Sequence, residues 1–216
     1  MKPSEVASLV NIDSKTIRRY IHRGILTAES NARGFDITVL DAELLQARIL
    51  ARKTLERQIK ELFVLRDYGT PLDHIKSEYG LIPEDVSNAL FLYHFERQGY
   101  LEKFGLDDTS DLLLVQEVTA RLKVVDPHIP YELAEQGALE LHCTNWKGKD
   151  RFFPSRASFE AYLGDDIRTI FYNSKEVSDQ LGVSVHTTDR IALSNGIGRK
   201  LKPGLKQTNY LFTPIL

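Results

Sequence analysis

Lys15, Arg18, Arg19, His22 and Arg23 follow one another at three- and four-residue steps. That spacing gathers side chains on one face of a helix, and it leaves Ile17, Tyr20 and Ile21 for the other side. A short helix with one cationic and one apolar face can lie in a DNA major groove. There guanidinium groups donate to phosphate oxygens and to guanine edges. Thr16 belongs to the same stretch, and Arg33 stands in an Asn31-Ala32-Arg33-Gly34-Phe35 turn behind it. A second group lies near the end of the sequence. His186, Thr187 and Arg190 share helical spacing, and Arg199, Lys200, Lys202 and Lys206 surround a Pro203-Gly204 turn. A basic loop of that kind reaches a phosphate or a minor groove. These residues are the candidate DNA contacts.

Other chemistry finds no foothold in the sequence. There is no CxxC, HExxH or GxxxxGK[ST] pattern and no Gly-rich loop after a predicted strand. His142-Cys143 is an adjacent pair without chelating spacing, and the six histidines are dispersed. Glu84-Asp85, Asp107-Asp108 and Asp165-Asp166 fall at helix starts or linkers, where they suit a helix dipole or solvent. The expectation is a non-enzymatic protein with no catalytic residue, no metal and no cofactor.

The elements that must position the first cation group can be read around it. Ser4 is expected to cap a first helix carrying Val6, Leu9 and Val10, and Asn11-Ile12-Asp13 forms a turn. Asp13 or Ser14 caps the second helix, and Gly24 ends it in the left-handed region. Thr16-Ile17-Arg18, Tyr20 and Gly24-Ile25-Leu26 resemble the signature of MerR and excisionase-like helix-turn-helix domains. The likeness covers about residues 2–45. It implies a small β-hairpin wing from Leu26 to Ile37 and duplex DNA as partner. Asp36 takes a wing position where that family places a cation, and Arg19 stands where the MerR branch often has a second tyrosine.

Beyond residue 45 the pattern predicts one long helix to about Arg66, with Leu45, Ile49, Leu55, Ile59, Leu62 and Phe63 as an imperfect apolar stripe. The resemblance implies a homodimer through residues 46–66; packing within the chain is the alternative. Residues 70–110 read as a helical hairpin, Leu72–Tyr79 and Glu84–Gln98, with Gly99-Tyr100-Leu101 ending it as Gly24-Ile25-Leu26 ends its own helix. Further on, Gln116-Glu117-Val118-Thr119-Ala120-Arg121-Leu122-Lys123-Val124 parallels Lys175-Glu176-Val177-Ser178-Asp179-Gln180-Leu181-Gly182-Val183 at a constant 59-residue offset, which also pairs Gly137 with Gly196 and Phe153 with Phe212. Glu5-Val6 and Gly24 fit the same frame with one residue fewer. A fixed offset marks a repeated supersecondary unit.

The expected fold class is mainly α with small β-hairpin wings (α+β), built as tandem winged helix-turn-helix units joined by a long helix and a helical hairpin. The expected segments are 1–45, 46–69, 70–110, 111–166 and 167–216. The unit at 111–166 is expected to be a degenerate, structural or protein-contacting copy, since Glu132 and Glu135 would face phosphates, with Lys147, Lys149 and Arg151 leaving its wing able to touch a backbone.

Charge separates these segments. Residues 1–60 carry eleven Lys+Arg against seven Asp+Glu, and residues 167–216 carry seven against three, a balance of +4 at each end. Residues 61–110 balance at −6 and residues 111–166 at −4. Phosphate affinity follows local cation density, so the ends are candidates for a duplex and the acidic middle for a protein partner. One cysteine excludes an internal disulfide, and no run approaches the roughly 20 apolar residues of a membrane span. No membrane partner is expected, and the expected location is cytoplasmic, at the bacterial nucleoid if DNA is bound. Three functions fit: a transcriptional regulator or excisionase-like factor, an architectural DNA-bridging or DNA-maintenance protein with little sequence preference, and an adaptor whose helix-turn-helix units have become protein interfaces.

Overall fold

Glu5, Glu117 and Glu176 perform one local task at three places. Each carboxylate accepts the backbone N–H three residues before it, from Lys2 at 2.7 Å, Leu114 at 2.8 Å and Asn173 at 2.8 Å. This satisfies a donor that a helix start leaves over. Six residues after each glutamate the chain turns left-handed, at Asn11 (φ 54), Lys123 (φ 55) and Gly182 (φ 66). The next N–H then returns to a helical carbonyl, Ile12 to Ala7, Val124 to Thr119 and Val183 to Ser178. The computed structural model describes residues 1–32, 34–106, 108–201 and 210–213, apart from the side chains of Asp165 and Asp166.

The three glutamates open α1 (Pro3–Val10), α7 (Val115–Arg121) and α10 (Ser174–Leu181). Each of these is followed by a second helix, α2 (Ser14–His22), α8 (Ile129–Glu135) and α11 (Val185–Asn195). The second helices end alike on Gly24, Gly137 and Gly196, all at positive φ. Past each glycine an N–H bonds back to Tyr20, Leu133 or Ala192. An antiparallel pairing follows each time: β1 (Glu29–Asn31) with β2 (Gly34–Asp36), β3 (Leu141–Trp146) with β4 (Lys149–Pro154), and β6 (Arg199–Lys200) with β7 (Tyr210–Phe212). The last pair gains β5 (Tyr172–Asn173), giving the order β5-β7-β6. The described chain is thus mainly helical with small antiparallel sheets.

The chain forms two compact units. The first comprises Met1–Ile59 and Tyr79–Tyr100. Its core is Val6, Val10, Ile17, Tyr20, Leu26 and Ile37, joined by Leu45 and Ile49 of α3 (Val39–Thr54) and by Leu92 of α6 (Pro83–Leu101). The second comprises Lys60–Glu78 and Leu101–Leu216. There Leu113, Val118, Leu122 and Leu133 share one core with Phe159 and Leu163 of α9 (Arg156–Leu163), and with Phe171, Leu201 and Leu211. Leu201 and Leu211 of the last segment therefore join the core of the one before it, while Ala192 of α11 packs in a separate cluster with Tyr210 and Phe212.

Several expectations change against these elements. The single helix to Arg66 is two helices, α3 and α4 (Ile59–Asp67), with a turn over residues 55–58. The cause lies in the phase of the apolar pattern. Positions 52, 53 and 56, which would continue the stripe of Leu45 and Ile49, hold Arg52, Lys53 and Glu56, and the apolar residues resume at Leu55, Ile59 and Leu62. The turn absorbs the jump, and all three of those residues are buried. Residues 70–110 are divided between the two units: α5 (Leu72–Tyr79) falls almost wholly in the second and α6 in the first. Gly99 ends no helix. It lies inside α6, where a Cβ would collide with the Arg23 guanidinium. Ser4 is a helical residue and Lys2 the N-cap, because Pro3 is preset for the first helical position. Among the described residues no helix is long and apolar enough to cross a membrane.

Candidate nucleic-acid interface

α2 is held by its buried side and by its start. Ile17 and Tyr20 are buried, and the Asp13 carboxylate accepts the Thr16 N–H at 2.8 Å and its hydroxyl at 2.7 Å. Those two bonds hold the Asp13 carboxyl below its usual range, so the cap stays charged. Behind the helix, the Tyr20 hydroxyl lies 3.4 Å from Glu96 of α6, and Arg52 of α3 donates to the same carboxylate at 2.6 Å. Three helices of the first unit meet there, which fixes how α2 presents its outer face.

Burial, with the Glu96 charge second, pushes the Tyr20 phenol up to about 12. An unfolded tyrosine ionises near 10. The folded state therefore holds an advantage that is fully present below pH 10 and lost as pH rises through 12, roughly 2–3 kcal/mol for a shift of this size. Alkaline unfolding checks it: wild type is expected to lose that much more stability than Tyr20→Phe between pH 10 and 12. Parallel losses in the two proteins would refute it.

The outer face of α2 presents Lys15, Arg18 and Arg19, all exposed. Arg19 reaches the Thr16 hydroxyl at 3.5 Å, and its guanidinium lies 6.0 Å from the centre of the Tyr20 ring. His22 is exposed but set edge-on against Phe35 of β2, with ring centroids 5.5 Å apart. Thr16 is half-buried and occupied at the cap, and Arg23 is turned onto Gly99 of α6. Arg33 lies outside the described residues. Asp36, at the wing position where the resembled family places a cation, is paired with Lys2 at 3.0 Å and accepts from Asn31. The Lys2 ammonium holds its carboxyl below the usual range and offsets its charge. No local spacing signals this pair, because its members are 34 residues apart.

The C-terminal candidates are placed differently. His186 and Arg190 are exposed on α11, whereas Thr187 is half-buried and donates its N–H to the capping Ser184 hydroxyl at 3.1 Å. Arg199 donates to the carbonyls of Leu163 at 2.9 Å and Tyr162 at 2.6 Å. It thus closes the C-terminus of α9, where a cation suits the dipole. Lys200 is exposed on β6, and Lys202 and Lys206 lie outside the described residues. Around α11 the surface is apolar: Leu181, Val183, Val185, Ile191 and Ile197 are exposed, and Leu193 is 73% exposed. The two outer helix faces therefore differ in kind, cationic on α2 and mixed on α11, with exposed apolar residues beside His186 and Arg190.

The chain matches no family model, no curated protein and no solved structure.

Proposed function

We propose that this protein binds double-stranded DNA without catalysing a reaction, as a transcriptional regulator or excisionase-like factor, with α2 as its reading helix. The three helix-helix-hairpin segments are, on this reading, tandem winged helix-turn-helix units. The observation that carries the proposal is the outer face of α2, where Lys15, Arg18 and Arg19 are exposed above the buried Ile17 and Tyr20. Such a face fits a major groove, with Arg18 and Arg19 on phosphates or guanine edges. The test is a binding titration of the whole chain on specific-candidate and random duplexes at two salt concentrations. Binding that weakens steeply with salt is expected, with at least about a thousandfold preference for one site. Equal affinity for every duplex turns the reading towards an architectural role.

A homodimer belongs to the same proposal, through α3 and not through residues 59–66, whose Leu62, Val64 and Leu65 are buried. α3 is apolar on two sides. Ala42, Leu45 and Ile49 face the core, while Leu40 (75% exposed), Leu44 and Leu50 (63% exposed) line the outside with Ala47 between them. A second copy laid antiparallel across Ala47 brings Glu43 of each helix towards Lys53 of the other. Sedimentation velocity is expected to show a dimer that Leu44→Glu converts to monomer; a wild-type monomer at all concentrations removes this part.

The apolar surround of α11 favours a second reading, an adaptor in which the C-terminal helix pair docks protein. Unchanged DNA affinity in an Arg18→Ala/Arg19→Ala protein would favour it over the first.

A further inference from the structure

The hairpin of β3 and β4 has the longest strands among the described residues, six residues each, and at roughly 3.4 Å per residue it spans about 20 Å. Its base is anchored by Phe153, which is buried, while residues 147–152 are all exposed. The register pairs Thr144 with Arg151, Asn145 with Asp150 and Trp146 with Lys149. Side chains alternate along a strand, so Thr144, Trp146, Lys149 and Arg151 share one face, and Asn145 and Asp150 share the other. Asp150 is further tied down by the Asn145 amide at 2.8 Å. The hairpin's one carboxylate is thereby turned away from its cations.

The cationic face is braced. Phe104 lies edge-on to Trp146 at 5.6 Å and to Phe153 at 5.4 Å, which ties the upper hairpin to its buried base. The Lys147 ammonium sits 4.5 Å from the centre of the Trp146 ring. Lys147 takes a left-handed turn position at φ 53, and Gly148 beside it has φ 74. Lys147, Lys149 and Arg151 form no ion pair with any described residue. Three cations with no ion-pair partner among the described residues, on a stiff ribbon with the acid on its back, form a surface for a polyanion whose charges recur along a line.

From this geometry we infer that the β3–β4 hairpin is a second nucleic-acid contact, gripping the phosphodiester backbone without reading sequence. The unit read from sequence as degenerate in its second helix, on account of Glu132 and Glu135 in α8, uses its hairpin instead. The inference shares its ligand with the proposed function and rests on that reading to this extent, but it concerns different residues in a different unit.

The experiment is fluorescence anisotropy of a labelled mixed-sequence duplex of about 30 base pairs, using the full chain across a salt series. Three proteins are compared: wild type, Arg18→Ala/Arg19→Ala and Lys147→Gln/Lys149→Gln/Arg151→Gln. Glutamine keeps the aliphatic stems and the cover on Trp146, and the single tryptophan's emission reports whether the hairpin is intact. The hairpin variant is expected to lose about tenfold or more in affinity at moderate salt, equally on unrelated sequences, with a salt slope shallower by about 2–3. Should its affinity and slope equal wild type while the α2 variant fails to bind, the hairpin contact is overturned and the α2 reading stands. Loss in the hairpin variant with an unaffected α2 variant supports the hairpin and sinks the α2 reading. No binding by wild type overturns both. Lys147→Ala/Lys149→Ala serves as a second variant should the triple change disturb the tryptophan signal.

Discussion

Replacing Lys123 by methionine is expected to remove about 3–5 kcal/mol of stability from the second unit, the largest effect of any single substitution considered for this protein. Lys123 closes α7 in the left-handed region, a position where glycine or asparagine is usual. Its side chain explains the exception. The ammonium lies 2.9 Å from Glu61 of α4 and 3.1 Å from Glu176 of α10, and it is nearly inaccessible to water, as is Glu61. Removing the cation takes from the Glu61 carboxylate an ion-pair partner in a site nearly closed to water, which accounts for most of the loss. Glu176→Gln should cost less than about 1 kcal/mol, because its carboxyl is partly exposed and a glutamine still accepts the Asn173 N–H. The decisive comparison is Lys123→Met/Glu61→Leu, expected to recover most of the stability lost by Lys123→Met alone. Urea unfolding followed through Trp146, the only tryptophan and a residue of this unit, measures all four proteins. If Lys123→Met unfolds with the wild-type midpoint, the ion cluster contributes nothing to holding α4, α7 and α10 together.

The second large effect concerns binding. Arg18→Ala/Arg19→Ala is expected to weaken duplex binding by about a hundredfold or more, since an arginine on a base edge carries about 1–3 kcal/mol. Where the two contact phosphate instead, the salt slope should fall by about two and the loss should be uniform across sequences. Stability should stay within about 0.5 kcal/mol of wild type, because both side chains are exposed and the core beneath α2 is untouched. That separation makes the result interpretable: a binding loss at constant stability belongs to the surface and not to the fold. Anisotropy titrations paired with thermal unfolding supply both readings. A double variant that binds as tightly as wild type would transfer the weight to the adaptor reading, to which the exposed Leu181, Leu193 and Ile197 already lend support.

The three helix pairs were legible in the chain because everything that makes them is local. A glutamate reaching back three residues, a left-handed residue six further on and a glycine after the second helix are contacts within about 25 residues. Spacing in sequence therefore is spacing in space. The exposure of Arg18 and Arg19 follows from helical period alone, and so does the burial of Ile17 and Tyr20. The helix break at residues 55–58 was written there too, as an apolar register that changes phase, but without a glycine or proline to mark it.

Other assignments belong to the tertiary structure, because they join residues that no period relates. Arg199 looked like one more cation of a basic loop until the fold brought it against the end of α9, 36 residues earlier, where exposed carbonyls claim it. Arg23 fell in the same helical series as Arg19, yet α6 runs beside it and offers Gly99 as a seat. Lys2 and Asp36 cancel across 34 residues, and Lys123 and Glu176 meet across 53. A chain's local pattern sets which face of a helix is charged. Only the packing of one element on another decides which of those charges are consumed by the fold and which remain for a ligand.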